Sequence, residues 1–166
     1  NGGVLCLTPR SGVADEFNVI FDQPSPGPLR EAAGVNIDDY TTLESPVAME
    51  GIPGVTEGVT WADEIELAGA EPVARFSSGW LKGQPAVTIH NFGKGRVVYL
   101  GAMLRDASLE AFIRWLAKEA GIEPVLPGLP AGVRAHERRG NIASRAYRLV
   151  FLCNFSGKDQ EIRLEG

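Results

Sequence analysis

The sequence predicts an α/β domain followed by a small all-β domain, and three observations carry that prediction. Short apolar runs of strand length recur between turn formers through the first two thirds of the chain. One segment, Ser108 to Ala120, has a clear helical period, with Leu109, Phe112, Ile113, Leu116 and Ala120 spaced to share one face. The stretch 124–132, with three Pro and two Gly, then separates this region from a tail without helical periodicity. The expected division is therefore 1–123, a linker at 124–132, and 133–166. A chain of 166 residues, 44% of them hydrophobic, suffices for one ordinary domain and a small appendage. Its 20 Gly and 11 Pro favour turns over long helices.

The elements follow in order. Val4 to Thr8 is a buried strand that runs out into a long loop over residues 9–27. Pro28 to Ala33 is a short helix, opened by Pro in its first turn and stopped by Gly34. Val35 to Tyr40 alternates as a strand does. Residues 44–58, rich in Ser, Pro, Gly and Glu, are expected to form a mobile surface loop. Val59–Leu67 is a strand by its alternation, and Pro72–Phe76 and Pro85–Asn91 look like further strands. Phe92-Gly93-Lys94-Gly95 is a turn joining Pro85–Asn91 to Arg96–Gly101 as a β-hairpin. Asp106 or Ser108 can cap the Ser108–Ala120 helix, and Gly121 ends it. In the tail, Val133–Arg139, Tyr147–Phe155 and Glu161–Leu164 are strand candidates, with a turn at Gly140–Ser144. Three such strands are too few to close a stable sandwich.

Charge and special residues exclude several classes of function. The net charge of −5 argues against nucleic acid as a partner. No apolar run approaches the length of a membrane span. Glu31 to Glu71 holds ten acidic residues and no Lys, Arg or His, whereas Arg134 to Arg148 holds five Arg and one acidic residue. These are either two solvated faces or the two sides of a contact. Cys6 and Cys153 lie in apolar runs and are expected to be buried free thiols, as suits a reducing, cytoplasmic compartment. His90 and His136 stand apart from both Cys, so no metal site is expected. No cofactor is implied.

The most informative stretch is Leu7-Thr8-Pro9-Arg10-Ser11-Gly12-Val13-Ala14-Asp15-Glu16-Phe17-Asn18, a polar loop at the end of an apolar strand. Together with Pro26-Gly27-Pro28-Leu29-Arg30-Glu31, and with Ala86-Val87-Thr88 followed by Gly93-Lys94-Gly95-Arg96-Val97-Val98-Tyr99-Leu100-Gly101, it resembles the trimerisation domain of glycoside hydrolase family 42 β-galactosidases. Tyr147 to Ser156 is similar to the opening of the small β domain that ends these enzymes. The resemblance implies a flavodoxin-like parallel sheet, as in class I glutamine amidotransferases, with strands and helices before Gly2. It also implies a catalytic (β/α)8 barrel upstream that holds both catalytic Glu residues, a homotrimer, and a β-galactoside substrate bound through the barrel.

No residue here is expected to be catalytic. Retaining glycosidases need two carboxyls about 5 Å apart across the scissile bond. Asp15-Glu16, Asp38-Asp39 and Asp63-Glu64 are adjacent pairs, which point to opposite faces of a strand and are expected to be solvated. Ser11 lacks the glycine frame of a nucleophile elbow, and His90 lies within a strand as a structural residue. Gly93-Lys94-Gly95 lacks the remainder of a phosphate loop. Arg10, Asp15, Glu16 and Asn18 are the candidates for an interface or for support of an active site. The alternative for them is a self-satisfied loop in which Arg10 pairs with Asp15 or Glu16. Trp80, in a polar turn, is a further candidate as an interface anchor or a sugar-stacking ring, against simple partial burial. Trp115 is expected to pack on its helix. Three functions of different class compete: an assembly region of a β-galactosidase, a stand-alone carbohydrate-binding or interaction module, and an amidotransferase-like enzyme.

Overall fold

The computed structural model describes residues 2–163 and divides the chain into two compact units, Asn1–Gly121 and Ile122–Gly166. The first unit is built on one mixed sheet. Its elements are β1 (Val4–Leu7), a single 3-10 turn (Gly27–Leu29), α1 (Arg30–Ala33), β2 (Val35–Thr42), β3 (Val47–Glu50), β4 (Glu57–Leu67), β5 (Glu71–Phe76), β6 (Pro85–Phe92), β7 (Gly95–Leu100), β8 (Ala102–Met103) and α2 (Asp106–Glu119). The strand order is β1-β7-β6-β5-β3-β4-β2, with β8 paired to β4. β1 runs parallel to β7, and the other described pairs are antiparallel. The parallel, flavodoxin-like arrangement implied by the resemblance is thus represented among the described residues by the β1–β7 pair alone. No helix among the described residues is long and apolar enough to cross a membrane.

Alternation along β7 divides the interior into two cores. Val98 and Leu100 face α2, in a cluster with Phe76, Leu81, Val87, Leu104 and Phe112. Val97 and Tyr99 face the other way, packing with Leu7, Ala33, Val35, Ile37 and Ile65 beneath α1. Gly34 closes α1 in the left-handed conformation, its N–H bonded to the Arg30 carbonyl at 2.8 Å. His90 on β6 holds the same corner, its Nδ1 lying 3.0 Å from the Ala32 carbonyl oxygen. Gly93 and Lys94 form the expected turn between β6 and β7, where Phe92 pairs with Gly95.

Four expectations are corrected. The segment 44–58 is no mobile loop: it contains β3, and Val47, Met49, Ile52 and Val55 are buried in the α2-side core. Gly51, Pro53 and Gly54 lie in the turn from β3 to β4, and the apolar residues of the segment are spaced widely enough to look like loop residues. The inward face of α2 is also rotated from the predicted stripe. Ser108 and Phe112 are buried and Ala111, Trp115 and Leu116 pack partly, while Leu109 and Ile113 face outward. Ser108 does not cap this helix; its Oγ accepts from the Thr56 N–H at 3.2 Å and ties α2 to the β3–β4 turn. Asp63, expected to be solvated, is 2% exposed.

The second unit is a hairpin of β9 (Val133–Ile142) and β10 (Arg145–Asn154). The turn lies within the predicted Gly140–Ser144 but comprises only Ala143 and Ser144, because β9 runs on to Ile142. Glu137 accepts from both Arg139 and Arg148, which holds its carboxyl below the usual carboxylate range. Residues 161–163 form no strand, and Leu164 lies outside the described residues. Cys6 and Cys153 are both free and half-buried rather than fully enclosed, and burial pushes the Cys6 thiol up.

Candidate functional site

The loop after β1 is braced by its own polar residues. Ser11 closes the first turn: its N–H donates to the Thr8 carbonyl at 3.0 Å, and its Oγ accepts from the Thr8 N–H at 3.1 Å. Ser11 is therefore a turn staple. Arg10 and Gly12 both take positive φ, at 69° and 68°. Further on, Ala14 bridges Ile20 and the Phe21 N–H reaches the Val13 carbonyl, giving a small antiparallel finger. Asp15 organises its tip. Its Oδ1 accepts from the N–H groups of Phe17 and Val19, each at 2.9 Å, and its carbonyl accepts from the Asn18 N–H. Asn18 turns the tip at φ 63°, a conformation Asn tolerates better than most residues. Glu16 is exposed. The tip carries Phe17, Val19 and Ile20 outward, Phe17 at 79% exposure.

Arg10 makes no ion pair with Asp15 or Glu16 among the described residues. Its guanidinium lies 5.5 Å from the ring centre of Trp61 and 5.9 Å from that of Tyr40, within cation–π range. The two rings are stacked at 4.8 Å and 17°. Sheet register makes this shelf. Tyr40 on β2 opposes Asp63 on β4, after a bulge between Ile37 and Asp39, and Trp61 is two residues from Asp63 on the same face. Beneath the shelf the Asp63 carboxylate accepts from Trp61 Nε1 at 2.9 Å and from the Tyr99 hydroxyl at 2.8 Å. Burial pushes the Asp63 pKa up, against the opposing effects of these two hydrogen bonds and of the Arg10 charge. Burial and the neighbouring carboxylate push the Tyr99 phenol up as well.

Beside the shelf is a mostly apolar cleft of about 270 Å³, lined by Pro9, Arg10, Trp61, Met103, Leu104 and Leu109, among others. Met103 and Leu109 stand half-exposed at this cleft, which explains why Leu109 faces away from the core. Trp80 lies in the turn closed by the Lys82 N–H on the Gly79 carbonyl and is 61% exposed. Asp38 and Asp39 are exposed, and Glu64 points to the opposite face of β4 from Asp63.

Of the predicted site residues, Asp15 and Asn18 come together at the finger tip. Arg10 is carried away from them to the aromatic shelf, Glu16 sits exposed in the tip with no side-chain hydrogen bond among the described residues, and Trp80 joins neither group. The shelf and the apolar tip were not foreseen. The legible signals were Trp61-x-Asp63 at strand period and Phe17 within a polar loop. The partners Tyr40 and Tyr99 are distant in sequence and offered none.

Comparison with known proteins places this architecture. The family model described as the β-galactosidase trimerisation domain matches residues 1–123. β-Galactosidase BglY of Alicyclobacillus acidocaldarius is 37% identical over 174 residues, covering 99% of this chain and 25% of the relative. β-Galactosidase BgaB of Geobacillus sp. is 34% identical over 128 residues, 76% of this chain and 19% of the relative. Among solved structures, the cold-adapted β-galactosidase from Rahnella sp. R3 superposes with a TM-score of 0.77 at 27% identity, over 93% of this chain and 24% of that one. The β-galactosidase of the haloarchaeon Halorubrum lacusprofundi gives 0.72 at 29% identity, over 93% and 22%. The chain thus spans about a quarter of the length of the curated relatives it matches over its whole extent. It belongs to the β-galactosidase trimerisation domain family of glycoside hydrolase family 42.

Proposed function

We propose that this chain is the assembly region of a retaining β-galactosidase acting on terminal β-D-galactosides, whose catalytic carboxylates lie in a barrel outside these residues. Residues 1–123 form the trimerising domain, 124–132 a linker, and 133–166 the start of a C-terminal β domain. The parallel β1–β7 pair is what supports an amidotransferase-like ancestry for the first of these. The two free thiols suit a reducing cytoplasm.

In this reading the loop from Pro9 to Asn18 lies at a subunit boundary and helps close the active site of the neighbouring subunit. One observation carries it. The finger is internally braced by Asp15, yet it presents Phe17, Val19 and Ile20 to solvent, and apolar residues held outward on a rigid support are characteristic of an interface. Arg10→Ala and Phe17→Asp in the full-length enzyme test it. Sedimentation should show a weakened trimer, or kinetics a lower turnover of a chromogenic β-galactoside, with folding of the domain intact. Wild-type assembly and turnover in both variants would reduce the loop to a local scaffold.

The exposure of Trp80 favours a second reading, a carbohydrate-binding module that uses this ring as a platform. Calorimetric titration of the chain with galactose and galactobiose distinguishes the two: saturable heat abolished by Trp80→Ala supports the module.

A further inference from the structure

Arg10 makes no hydrogen bond to a carboxylate among the described residues, so its place is set by the rings beneath it. Those rings have a fixed orientation for a specific reason. An indole on a strand can turn about its side-chain torsions, but Trp61 donates Nε1 to Asp63 Oδ1 at 2.9 Å. Asp63 is itself immobile. Its Oδ2 receives the hydroxyl of Tyr99, which is 1% exposed in the centre of the sheet, and its N–H donates to the Gly101 carbonyl at 2.7 Å. Tyr40 then stacks on the ring so fixed. A continuous line of contacts therefore runs from β7 through one buried carboxylate to the exposed guanidinium.

We propose that Asp63 is a positioning residue for the interface loop: it locks Trp61, and through the Trp61–Tyr40 stack it sets where Arg10 is presented to the neighbouring subunit. Three features support this. A carboxylate with 2% exposure is costly to bury and needs a return in hydrogen bonds. One oxygen here is spent on the shelf ring of Trp61, and the other on Tyr99, which anchors the carboxylate to β7. The negative charge also lies under the same shelf that Arg10 occupies, adding a Coulombic attraction to that of the ring faces. The inference rests on the proposed role of the Pro9–Asn18 loop.

The test is a double-mutant cycle in the full-length enzyme with Arg10→Ala, Asp63→Leu and the pair, reading the subunit dissociation constant by sedimentation and KM and kcat separately. Arg10→Ala is expected to weaken assembly or raise KM about threefold or more. Asp63→Leu, which can accept from neither Trp61 nor Tyr99, should reproduce most of that change, and the double variant should be no worse than Arg10→Ala alone. Trp61→Phe keeps a ring but removes the N–H, and it takes the place of Asp63→Leu in the cycle should that variant fail to fold. A purely structural Asp63 would lower the melting temperature and leave the dissociation constant and KM of the folded enzyme unmoved. That outcome, or changes that simply multiply in the double variant, overturns the inference. No effect of Arg10→Ala itself would instead remove the loop reading on which it rests.

Discussion

The hydroxyl of Tyr99 donates to the Oδ2 of Asp63 at 2.8 Å, joining β7 to β4 across the buried face of the sheet. Neither residue has an alternative partner in water. Tyr99→Phe would leave one oxygen of a buried carboxylate without its donor, and it is expected to cost about 2 kcal/mol, the worth of a hydrogen bond to a charged group. Chemical denaturation of the chain measures it. A loss under about 0.5 kcal/mol would mean that water or rearrangement satisfies Asp63.

Asp63 also makes a prediction about pH. Its carboxyl is raised in the folded state by burial. Between the ordinary aspartate value and that raised value the folded state holds a proton that the unfolded state has released. Stability from this group is therefore greatest below the unfolded pKa and declines as pH rises through the folded one. Asp63→Asn removes the titration. The stability of the wild type relative to Asp63→Asn should fall as pH rises through that window and level off above it. A flat difference would show that the carboxyl ionises as it does in water.

The two faces of α2 should respond oppositely. Phe112→Ala removes a buried ring that packs against Trp115 and the α2-side core, and about 3–5 kcal/mol should be lost. Ile113→Ala, at an exposed position, should change stability by no more than about 0.5 kcal/mol. Equal losses would restore the originally predicted stripe.

The β9–β10 hairpin is held by a turn of the wrong residue types. Ala143 and Ser144 occupy φ values of 48° and 66°, where an L side chain is strained and where Asn-Gly is favoured. Ala143→Asn with Ser144→Gly is expected to stabilise the hairpin by about 1 kcal/mol or more, read as slower amide exchange along β9 and β10. Unchanged exchange would indicate a different turn. Gly140 lies under the ring of Tyr147, its cross-strand partner, so Gly140→Val should act in the opposite sense by displacing that ring.

Local chemistry alone determined much of this protein. Alternation gave away β4, short apolar runs gave away β6 and β7, and their glycines gave away the Gly93-Lys94 turn and the Gly34 stop, because each is decided by residues within a few positions of one another. The loop after β1 was recognisable for the same reason, as its Ser11 and Asp15 bonds close within four residues. Tertiary structure decided what distant residues share. β3 was missed because its pairing with β4 and β5, not its own composition, makes it a strand. The inward face of α2 was misjudged because Leu109 and Ile113 are apolar residues that the sheet does not cover. Asp63 looked solvated because adjacent carboxylates such as Asp63-Glu64 in an acidic segment ordinarily are. Its burial depends on Tyr99, 36 residues away, and on the bulge that brings Tyr40 opposite it. The same limit applied to Arg10: nearby acids suggested a local ion pair, while the aromatic shelf that holds it exists only once β2 and β4 are in register.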